Sequence, residues 1–418
     1  MKRIALFVLA ALALGIGQAL AQDSLGVKCV GRAFVGPNSG VEVVGDFAYL
    51  PVSQQGMRIY DVSDAGRPHE IGFYYAPGPG FDAAIHEGKA YLTASDTTQG
   101  WTALHVIDIS DPYHPTGQVQ YRVPAIAGRV VISRDYLYWP ASDTFRILNI
   151  SDPNHPRLAG SYLNYGSNDF AASQFYGYLA GWRQLSVLDI SNPGEPEILG
   201  TIETRGVANS VALNGAFAYV TDANTGLEII RIGNPHNPIS VGFLDVPAHP
   251  FRVASLGYHV FVIDAEDGLY VIDAADSSQP HIVGNYMTPR GLTGICVKED
   301  FAYVTDNDSL YILDCSEAMS VQPAGTPVLP NRVTLSPAFP NPFNSRTTVG
   351  FTLPRPGMVN FGLFDPMGRQ VRRLESSGWF LAGSHQIAFN ADGLPSGGYF
   401  IQIQTGENVL QQRVTLVR

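Results

Sequence analysis

Residues 108–115 read Asp-Ile-Ser-Asp-Pro-Tyr-His-Pro, the end of an apolar run followed by a turn that contains two prolines. Related segments recur along the chain at intervals of 47, 41, 40, 42, 42 and 41 residues; they begin at Asp61, Asp108, Asn149, Asp189, Arg231, Asp273 and, in truncated form, Asp314. An aromatic residue recurs in phase with them, at Tyr49, Tyr91, Tyr138, Tyr178, Tyr219, Phe261 and Tyr303. A repeat of this length indicates an array of identical supersecondary units.

Each unit has the pattern of four short strands. In the fifth unit they cover residues 210–213, 216–221, 227–232 and 239–243, and Asn214-Gly215 between the first two is a strong hairpin signal. Four antiparallel strands in about 42 residues are typical of a propeller blade. The pattern therefore predicts an all-β chain with a seven-bladed β-propeller over residues 22–317.

The two ends of the array complement each other. The seventh unit stops after Glu317 without a fourth strand, whereas residues 27–34 match the fourth strands of other units. We expect this N-terminal strand to complete the last blade and close the ring, because open blade faces would be left unpaired.

The three cysteines, Cys29, Cys296 and Cys315, all fall in the closing blade. Cys29 lies on the donated strand and Cys315 on its expected neighbour, so a Cys29–Cys315 disulfide is predicted for an oxidising compartment. The alternative is a pair of buried free thiols, since the register of the two strands is not fixed by sequence. Cys296 is interpreted as an ordinary buried residue.

The repeats resemble the LVIVD repeat, as in Leu104-His-Val-Ile-Asp-Ile-Ser-Asp-Pro112 and Leu185-Ser-Val-Leu-Asp-Ile-Ser-Asn-Pro193. The resemblance covers residues 27–317 and implies an exported propeller protein without implying a catalytic activity. The fifth unit departs from the pattern because Arg231 replaces the usual Asp.

The repeat pattern ends before a Pro-containing linker, residues 318–331, and residues 332–418 show the strand spacing of a small Ig-like antiparallel β-sandwich. This tail resembles the C-terminal sorting domain of the type IX secretion system. The matching segments include Pro340-Asn-Pro-Phe-Asn344, Leu363-Phe-Asp365 and Gly397-Gly-Tyr-Phe400. The resemblance implies the type IX machinery as a partner and attachment at the cell surface; the alternative is a permanent accessory module.

Residues 1–21 have the features of a signal peptide: Lys2 and Arg3 precede an apolar run that ends at Ala19-Leu20-Ala21. We expect cleavage before Gln22, since the run is short for a membrane span of about 20 residues. The net charge of −11 and the lack of a later basic run exclude nucleic acid as an expected partner. The predicted product is an exported monomer, secreted or on the cell surface, with no membrane span.

No zinc, phosphate-loop, dinucleotide or nucleophile-elbow motif is found, so no catalytic residue, metal or cofactor is predicted. Asp61, Asp108 and Asp189 recur once per unit and are interpreted as turn-capping acceptors. Three acidic turns, at residues 222–226, 264–268 and 306–308, contain oxygen ligands that Ca²⁺ favours. Hairpin loops explain these turns without a metal, so calcium is kept as an alternative.

A binding site is predicted where the starts of the first strands meet around the central channel, together with the turns around them. The candidate ligand-binding residues are polar or aromatic and differ from blade to blade: Phe81, Trp101, Asp169, Trp182, Arg205, Asn209, His249, Arg252 and Arg290. Ordinary solvated loop residues are the alternative explanation. The leading hypothesis is a non-enzymatic binding or scaffold protein for a glycan or protein ligand. The alternative is a hydrolase or lyase that acts on a polysaccharide or lactone in the channel.

Overall fold

A computed structural model gives the fold of the chain. It describes residues 24–320 except 54–55, 97–99, 124–127, 141–143, 164–165, 174, 224 and 247–248, and residues 333–417 except 339, 345, 354–356, 374–377, 381–382, 392 and 406–407. The predicted signal peptide, residues 1–21, lies outside the described residues. The chain divides into two compact units, Met1–Gln322 and Pro323–Arg418.

The first unit begins with a single strand, β1 (Lys28–Phe34), and continues with four-stranded antiparallel sheets. Blade 1 contains β2 (Glu42–Val44), β3 (Phe47–Val52), β4 (Gly56–Asp61) and β5 (His69–Tyr75). Blade 2 contains β6 (Gly80–His86), β7 (Lys89–Asp96), β8 (Trp101–Asp108) and β9 (Thr116–Val123). Blade 3 contains β10 (Val131–Ser133), β11 (Tyr136–Pro140), β12 (Thr144–Asn149) and β13 (Arg157–Leu163).

The later blades repeat this order of strands. Blade 4 contains β14 (Ser167–Ala172), β15 (Tyr176–Gly181), β16 (Gln184–Asp189) and β17 (Glu197–Glu203). Blade 5 contains β18 (Val207–Asn214), β19 (Phe217–Ala223), β20 (Gly226–Arg231) and β21 (Ile239–Leu244). Blade 6 contains β22 (Pro250–Leu256), β23 (His259–Asp264), β24 (Gly268–Asp273) and β25 (His281–Met287). Blade 7 contains β26 (Gly294–Lys298), β27 (Phe301–Thr305) and β28 (Ser309–Asp314), followed by a short helix, α1 (Ser316–Ser320).

The N-terminal strand completes blade 7. β1 pairs antiparallel with β28 from Lys28–Asp314 to Phe34–Ser309, which gives the sheet order β1-β28-β27-β26. Around the centre each first strand contacts the first strands of both neighbouring blades, and β26 of blade 7 contacts β2 of blade 1. The first unit is therefore a closed seven-bladed propeller, as predicted.

Hydrophobic cores lie between the blades. Seven clusters of buried residues are found in the described part of this unit, one at each junction of adjacent blades. At the junction of blades 7 and 1, for example, Leu310 and Ile312 pack with Val41 and Leu50. This arrangement explains the apolar residues on both faces of the middle strands and buries each blade face against its neighbour.

The fourth strands carry a glycine where the next blade approaches. A Cβ added at Gly200 of blade 4 would lie 2.6 Å from the carbonyl oxygen of Pro235, in the proline turn of blade 5. Equivalent glycines that face the neighbouring blade's turn are Gly31, Gly72, Gly160 and Gly242. The proline turns and the fourth-strand glycines are therefore two halves of one contact between blades.

The recurring acidic residue caps its own turn, as predicted. Asp108 Oδ1 accepts the backbone N–H of Ser110 at 3.0 Å and its hydroxyl at 2.7 Å. Asp61 and Asp189 accept the N–H of the residue two positions later in the same way. These hydrogen bonds lower the pKa of the Asp61 carboxyl.

The second unit is a β domain of two antiparallel sheets. One sheet has the order β29 (Thr334–Leu335), β30 (Arg346–Leu353) and β34 (Gly383–Asn390). The other contains β32 (Gln370–Arg373), β31 (Gly357–Phe364), β35 (Gly397–Thr405) and β36 (Asn408–Leu416), with β33 (Gly378–Phe380) paired to β31. Phe351, Phe361 and Ile403 belong to its own hydrophobic core.

The structure does not contain the predicted Cys29–Cys315 disulfide: all three cysteines are free thiols. The register places Leu313 opposite Cys29, and Cys315 lies beyond the last paired residue, Asp314. Cys315 is buried between blades 6 and 7, whereas Cys29 is exposed. Instead, the Cys29 thiol donates to the carbonyl oxygen of Gly31 and the Cys315 thiol to that of Leu313.

The predicted first residue of the linker, residue 318, is also wrong. Residues 318–320 belong to α1, and the side chain of Ala318 is buried in the core between blades 6 and 7. The Ala318 N–H donates to the carbonyl oxygen of Gly26 at 3.0 Å, which ties the helix to the N-terminal segment. The rest of the predicted linker, residues 321–331, lies outside the described residues.

Candidate functional site

One position of each first strand forms a ring near the centre of the propeller. In each blade it lies two residues before the residue that pairs with the recurring aromatic, as Asp169 lies two residues before Ala171, the partner of Tyr178. The seven residues at this position, called here the channel ring, are Gly40, Asp82, Arg129, Asp169, Ser210, Arg252 and Gly294. Because the position is equivalent in every blade relative to the recurring aromatic, the differences in side chain are not required by the repeat.

Part of the channel ring joins adjacent blades. A ring side chain accepts a backbone N–H from the next blade three times: Asp82 from Val130 at 2.8 Å, Asp169 from Val211 at 3.1 Å, and Ser210 from Val253 at 3.4 Å. The residue just before the ring position also bonds to the next blade, but as a donor: the Asn209 amide donates to the carbonyl oxygen of Pro250 at 3.1 Å. Asn209 thus has a structural role that accounts for its identity.

Asp169 is the most fully bonded carboxylate of the ring. It is 1% exposed. Its two oxygens accept hydrogen bonds from Arg129 Nη1 at 3.0 and 2.9 Å, and Oδ2 also accepts one from the Ser210 hydroxyl at 2.6 Å. Burial alone would lower the pKa of Arg129, but the neighbouring carboxylates hold that pKa above its ordinary value. Arg129 and Asp169 therefore form a neutralised, blade-bridging ion pair.

A cavity of about 190 Å³ lies beside this pair. Its polar walls are Glu42, Asp82, Arg129 and Arg252, and aliphatic side chains such as Val41 and Ile295 form much of the rest. Glu42 belongs to β2 of blade 1 and Arg252 to β22 of blade 6, so the polar groups come from separate blades. Several blades therefore converge on one space that combines two carboxyls with two guanidinium groups.

Two of these polar groups have no hydrogen bond or ion pair within the described part of the chain: the guanidinium of Arg252 and the carboxyl of Glu42. Asp82 uses one carboxylate oxygen for the Val130 N–H. Arg252 is held in the cavity with its guanidinium carbon 5.5 Å from the ring centre of Phe251. The cavity therefore presents donors and acceptors that the fold itself does not use.

The electrostatics of the cavity shift three pKa values. Burial and the nearby Asp82 raise the pKa of Glu42 to about 7, and burial also raises the pKa of Asp82. Burial and the charge of Arg129 lower the pKa of Arg252 to about 10. At neutral pH Glu42 is thus divided between its protonated and ionised forms, whereas Arg252 remains charged.

The other predicted site residues lie outside the cavity walls. His249 is half exposed, its Nε2 lies 3.5 Å from Glu266 Oε1, and it does not line the cavity that contains Arg252. Arg290 forms an ion pair with Asp308, and the guanidinium of Arg205 lies 4.0 Å above the ring of Phe243. Phe81 is half-buried in β6, while Trp101 and Trp182 are exposed.

Glu42, Asp82 and Arg129 were missed by the sequence analysis. A signal for them exists, because aligning the seven first strands on the recurring aromatic places Asp82 and Arg129 at the level of Asp169 and Arg252. Glu42 would also emerge from this alignment, since at its position other blades have small or apolar residues such as Ala84, Ala171 and Cys296.

The acidic turns proposed as calcium ligands serve the backbone. Asp264 accepts the N–H groups of Glu266 and Asp267 at 2.7 and 3.0 Å. Asp306 accepts those of Asp308 and Ser309 at 2.8 and 2.7 Å. The described residues contain no group of three or more His, Cys, Asp or Glu side chains suited to hold a metal ion.

Exposed aromatic side chains gather on one face of the propeller, defined here as the upper face: the turns between second and third strands and the links between blades. Trp182 is 66% exposed in such a turn, and Phe34 (77%) and Tyr75 (59%) end fourth strands. Trp101 and Phe251 begin strands at the same face and are also exposed. On the opposite face the described turns present Tyr113.

Comparison with known proteins agrees with this architecture. The LVIVD repeat profile matches residues 36–76, 98–123, 125–164, 167–204, 205–246, 251–288 and 291–322. Among solved structures the chain is similar to the computationally designed Ika8 protein, with a TM-score of 0.51, 10% identity, and coverage of 66% of this chain and 82% of that chain. At that identity the likeness concerns the fold alone. No curated protein matches the chain.

The C-terminal unit has its own match, to the secretion system C-terminal sorting domain over residues 337–417. This domain indicates export to the cell surface or the extracellular space, by way of the type IX secretion machinery. None of the helices in the described segments is long and apolar enough to cross a membrane. With seven repeat matches spread over most of the propeller and a sorting domain behind them, the chain belongs to the LVIVD repeat family and is an exported member of it.

Proposed function

We propose that the propeller is a non-enzymatic binding protein that works outside the cell and uses its upper face and central channel to hold a glycan or protein ligand. The observation that carries the proposal is the concentration of exposed aromatic side chains on the upper face. Exposed aromatic side chains are costly in water and are enriched at binding sites, where they supply contact area with little loss of conformational freedom.

The closed ring supports this function mechanically. Each upper-face aromatic is attached to a strand or turn that is fixed by the hydrophobic cores on both sides of its blade. Such a surface is preorganised, so less free energy is spent on ordering it when the ligand binds. The C-terminal domain would deliver this surface to the cell exterior, with removal of the domain and attachment of the propeller to the surface as the proposed final step.

The test is binding to a glycan array and to extracellular proteins, with the double variant W101A/W182A and the matched control Tyr113→Ala from the opposite face. We expect the double variant to weaken binding at least tenfold, which is about 1.4 kcal/mol, and the control to bind like the wild type. Equal loss in both variants, or no ligand for the wild-type protein on either platform, would refute the proposal.

A second candidate is a hydrolase or lyase that acts on a polysaccharide or lactone in the channel. The specific observation in its favour is the pair Glu42 and Asp82, two carboxyls with raised pKa values on one cavity. Carboxyl pairs whose environments differ can divide the roles of general acid and general base. Turnover of a sugar polymer by the wild type and its loss in Glu42→Gln would support this candidate, whereas binding without turnover excludes it.

A further inference from the structure

The channel cavity is chemically distinct from the aromatic upper face and indicates what part of a ligand enters it. Asp169 is fully bonded and accepts both of its guanidinium hydrogen bonds from Arg129 Nη1, whereas the buried Nε of Arg129 has no partner in the described residues. Besides that Nε, the cavity presents the donors of Arg252, the carboxyl of Glu42, and the Asp82 carboxyl oxygen that the Val130 N–H does not use.

Arg252 is the decisive group. Its guanidinium is half-buried on the cavity wall and has five N–H donors, so an acceptor that enters the cavity can recover the free energy lost on partial removal of the charge from water. In the described residues no carboxylate or carbonyl oxygen lies within hydrogen-bond distance of it, although Asp82 and Asp169 are near enough to act on its charge. The planar fork of a guanidinium matches the two oxygens of a carboxylate.

The remaining walls select among carboxylates. Asp82 and Glu42 can accept hydrogen bonds from hydroxyl groups, which a simple fatty acid lacks. The aliphatic walls, with Val41, Val131 and Ile295 among them, suit the C–H faces of a compact ring. The volume of about 190 Å³ excludes a bulky group but admits one small ring or its equivalent.

We propose that the channel binds a compact hydroxylated carboxylate, that is a uronate, with its carboxylate on Arg252 and its hydroxyl groups on Asp82 and Glu42. This inference rests on the proposed binding function and names the ligand class for the channel. The uronate is either free or the terminal residue of an acidic polysaccharide, and the sugar chain beyond it would lie on the upper-face aromatics.

The charged and titratable groups around the cavity also give the site a pH dependence. They are Glu42, Asp82, Arg129, Asp169, Arg252 and the thiol of Cys296. Burial raises the pKa of Cys296 to about 12, so the thiol stays neutral. Glu42, whose pKa is raised to about 7, changes charge near neutral pH, and its ionised form would repel the carboxylate of the ligand.

The experiment is isothermal titration calorimetry of the purified full chain with four probes: galacturonate, an oligogalacturonate, galactose and sulfate. We expect galacturonate to bind at least tenfold more tightly than galactose, which has a hydroxymethyl group in place of the carboxylate, and more tightly than sulfate. A free-acid site gives equal affinity for galacturonate and oligogalacturonate, whereas a polysaccharide site gives at least tenfold tighter binding of the oligomer. Equal affinity for galacturonate and galactose, or preference for sulfate, overturns the uronate assignment.

Two variants and a control locate the site. Arg252→Gln should lose at least tenfold in affinity and Arg252→Lys less, since an ammonium keeps the charge without the fork. The control Arg157→Gln, at the exposed start of an outer strand in blade 3, should bind like the wild type. Retained binding in Arg252→Gln overturns the proposal.

The pH profile tests the site even if Arg252→Gln fails to fold. Wild-type affinity for galacturonate should fall as the pH rises from 6 to 8, and Glu42→Gln should bind with little pH dependence. Identical profiles in the two proteins would contradict the proposed contact. If no uronate binds while a ligand of the upper face does, this inference fails and the proposed function stands; if neither binds, both fail.

Discussion

Replacing Glu42 with Gln tests the electrostatics of the channel by a measurement that needs no ligand. The pKa of this carboxyl is raised from its ordinary value of 4.5 to about 7, mainly because the group is buried. The folded protein therefore holds the proton more tightly than the unfolded chain does. Its contribution to stability is complete below about pH 4.5 and is lost as the pH rises through 7.

The magnitude follows from the size of that change. Each pKa unit corresponds to about 1.4 kcal/mol, which gives roughly 3 kcal/mol for the full change. Water that reaches the channel screens the half-buried group, so we expect about 2 kcal/mol. Asp82 changes stability in the same direction, and comparing the variant with the wild type at each pH isolates the part that belongs to Glu42.

The assay is urea unfolding at pH 5 and pH 8, followed by the fluorescence of tryptophans that include Trp139, which is fully buried in the propeller. Between these two pH values the wild-type free energy of unfolding should fall by about 2 kcal/mol more than that of Glu42→Gln. The control is Glu197→Gln, an exposed carboxyl on an outer strand, which should follow the wild type. Parallel pH dependence in Glu42→Gln and the wild type would refute the reasoning.

Three further predictions concern the fold. Asp169→Asn leaves Arg129 without its carboxylate partner, so we expect a loss of about 3 kcal/mol in urea unfolding; a loss below about 0.5 kcal/mol would show that the pair does not join the blades. Gly200→Ala pushes a methyl group against the proline turn of the next blade and should cost about 1–3 kcal/mol, whereas Gly233→Ala, whose nearest atom lies at 3.8 Å, should be close to neutral. Iodoacetamide should label Cys29 in the native protein and Cys315 only after unfolding, as measured by peptide mass spectrometry. Recovery of a peptide linked through Cys29 and Cys315 would contradict the assignment of free thiols.

The propeller could be predicted because its evidence is repeated. The proline turns and the recurring aromatics supply the same signal seven times, and the absence of a fourth strand after Asp314 is compensated by residues 27–34. Local patterns of this kind depend on turn chemistry and strand alternation, which sequence reports directly. The sorting domain could be predicted from the sequence for a similar reason, because its motifs occur in a fixed order.

The disulfide and the cavity could not be predicted with the same success. The distance between Cys29 and Cys315 depends on the register of β1 against β28. That register includes a bulge between Cys29 and Gly31, which the residue pattern does not predict. The cavity depends on side chains from separate blades, at least 40 residues apart in sequence, that meet only because the ring closes, so single-strand patterns do not reveal it. Asp169 and Arg252 were selected because they differ from blade to blade, and that same criterion, applied to every first strand, also identifies Asp82 and Arg129.

The most direct test of the channel as a binding site is a crystal structure of the full chain grown with galacturonate. The account predicts ordered ligand density in the cavity, with a carboxylate within hydrogen-bond distance of the Arg252 guanidinium and hydroxyl groups within reach of Asp82 and Glu42. Ligand bound only at the upper-face aromatics, or a channel that contains solvent alone at saturating galacturonate, would contradict it.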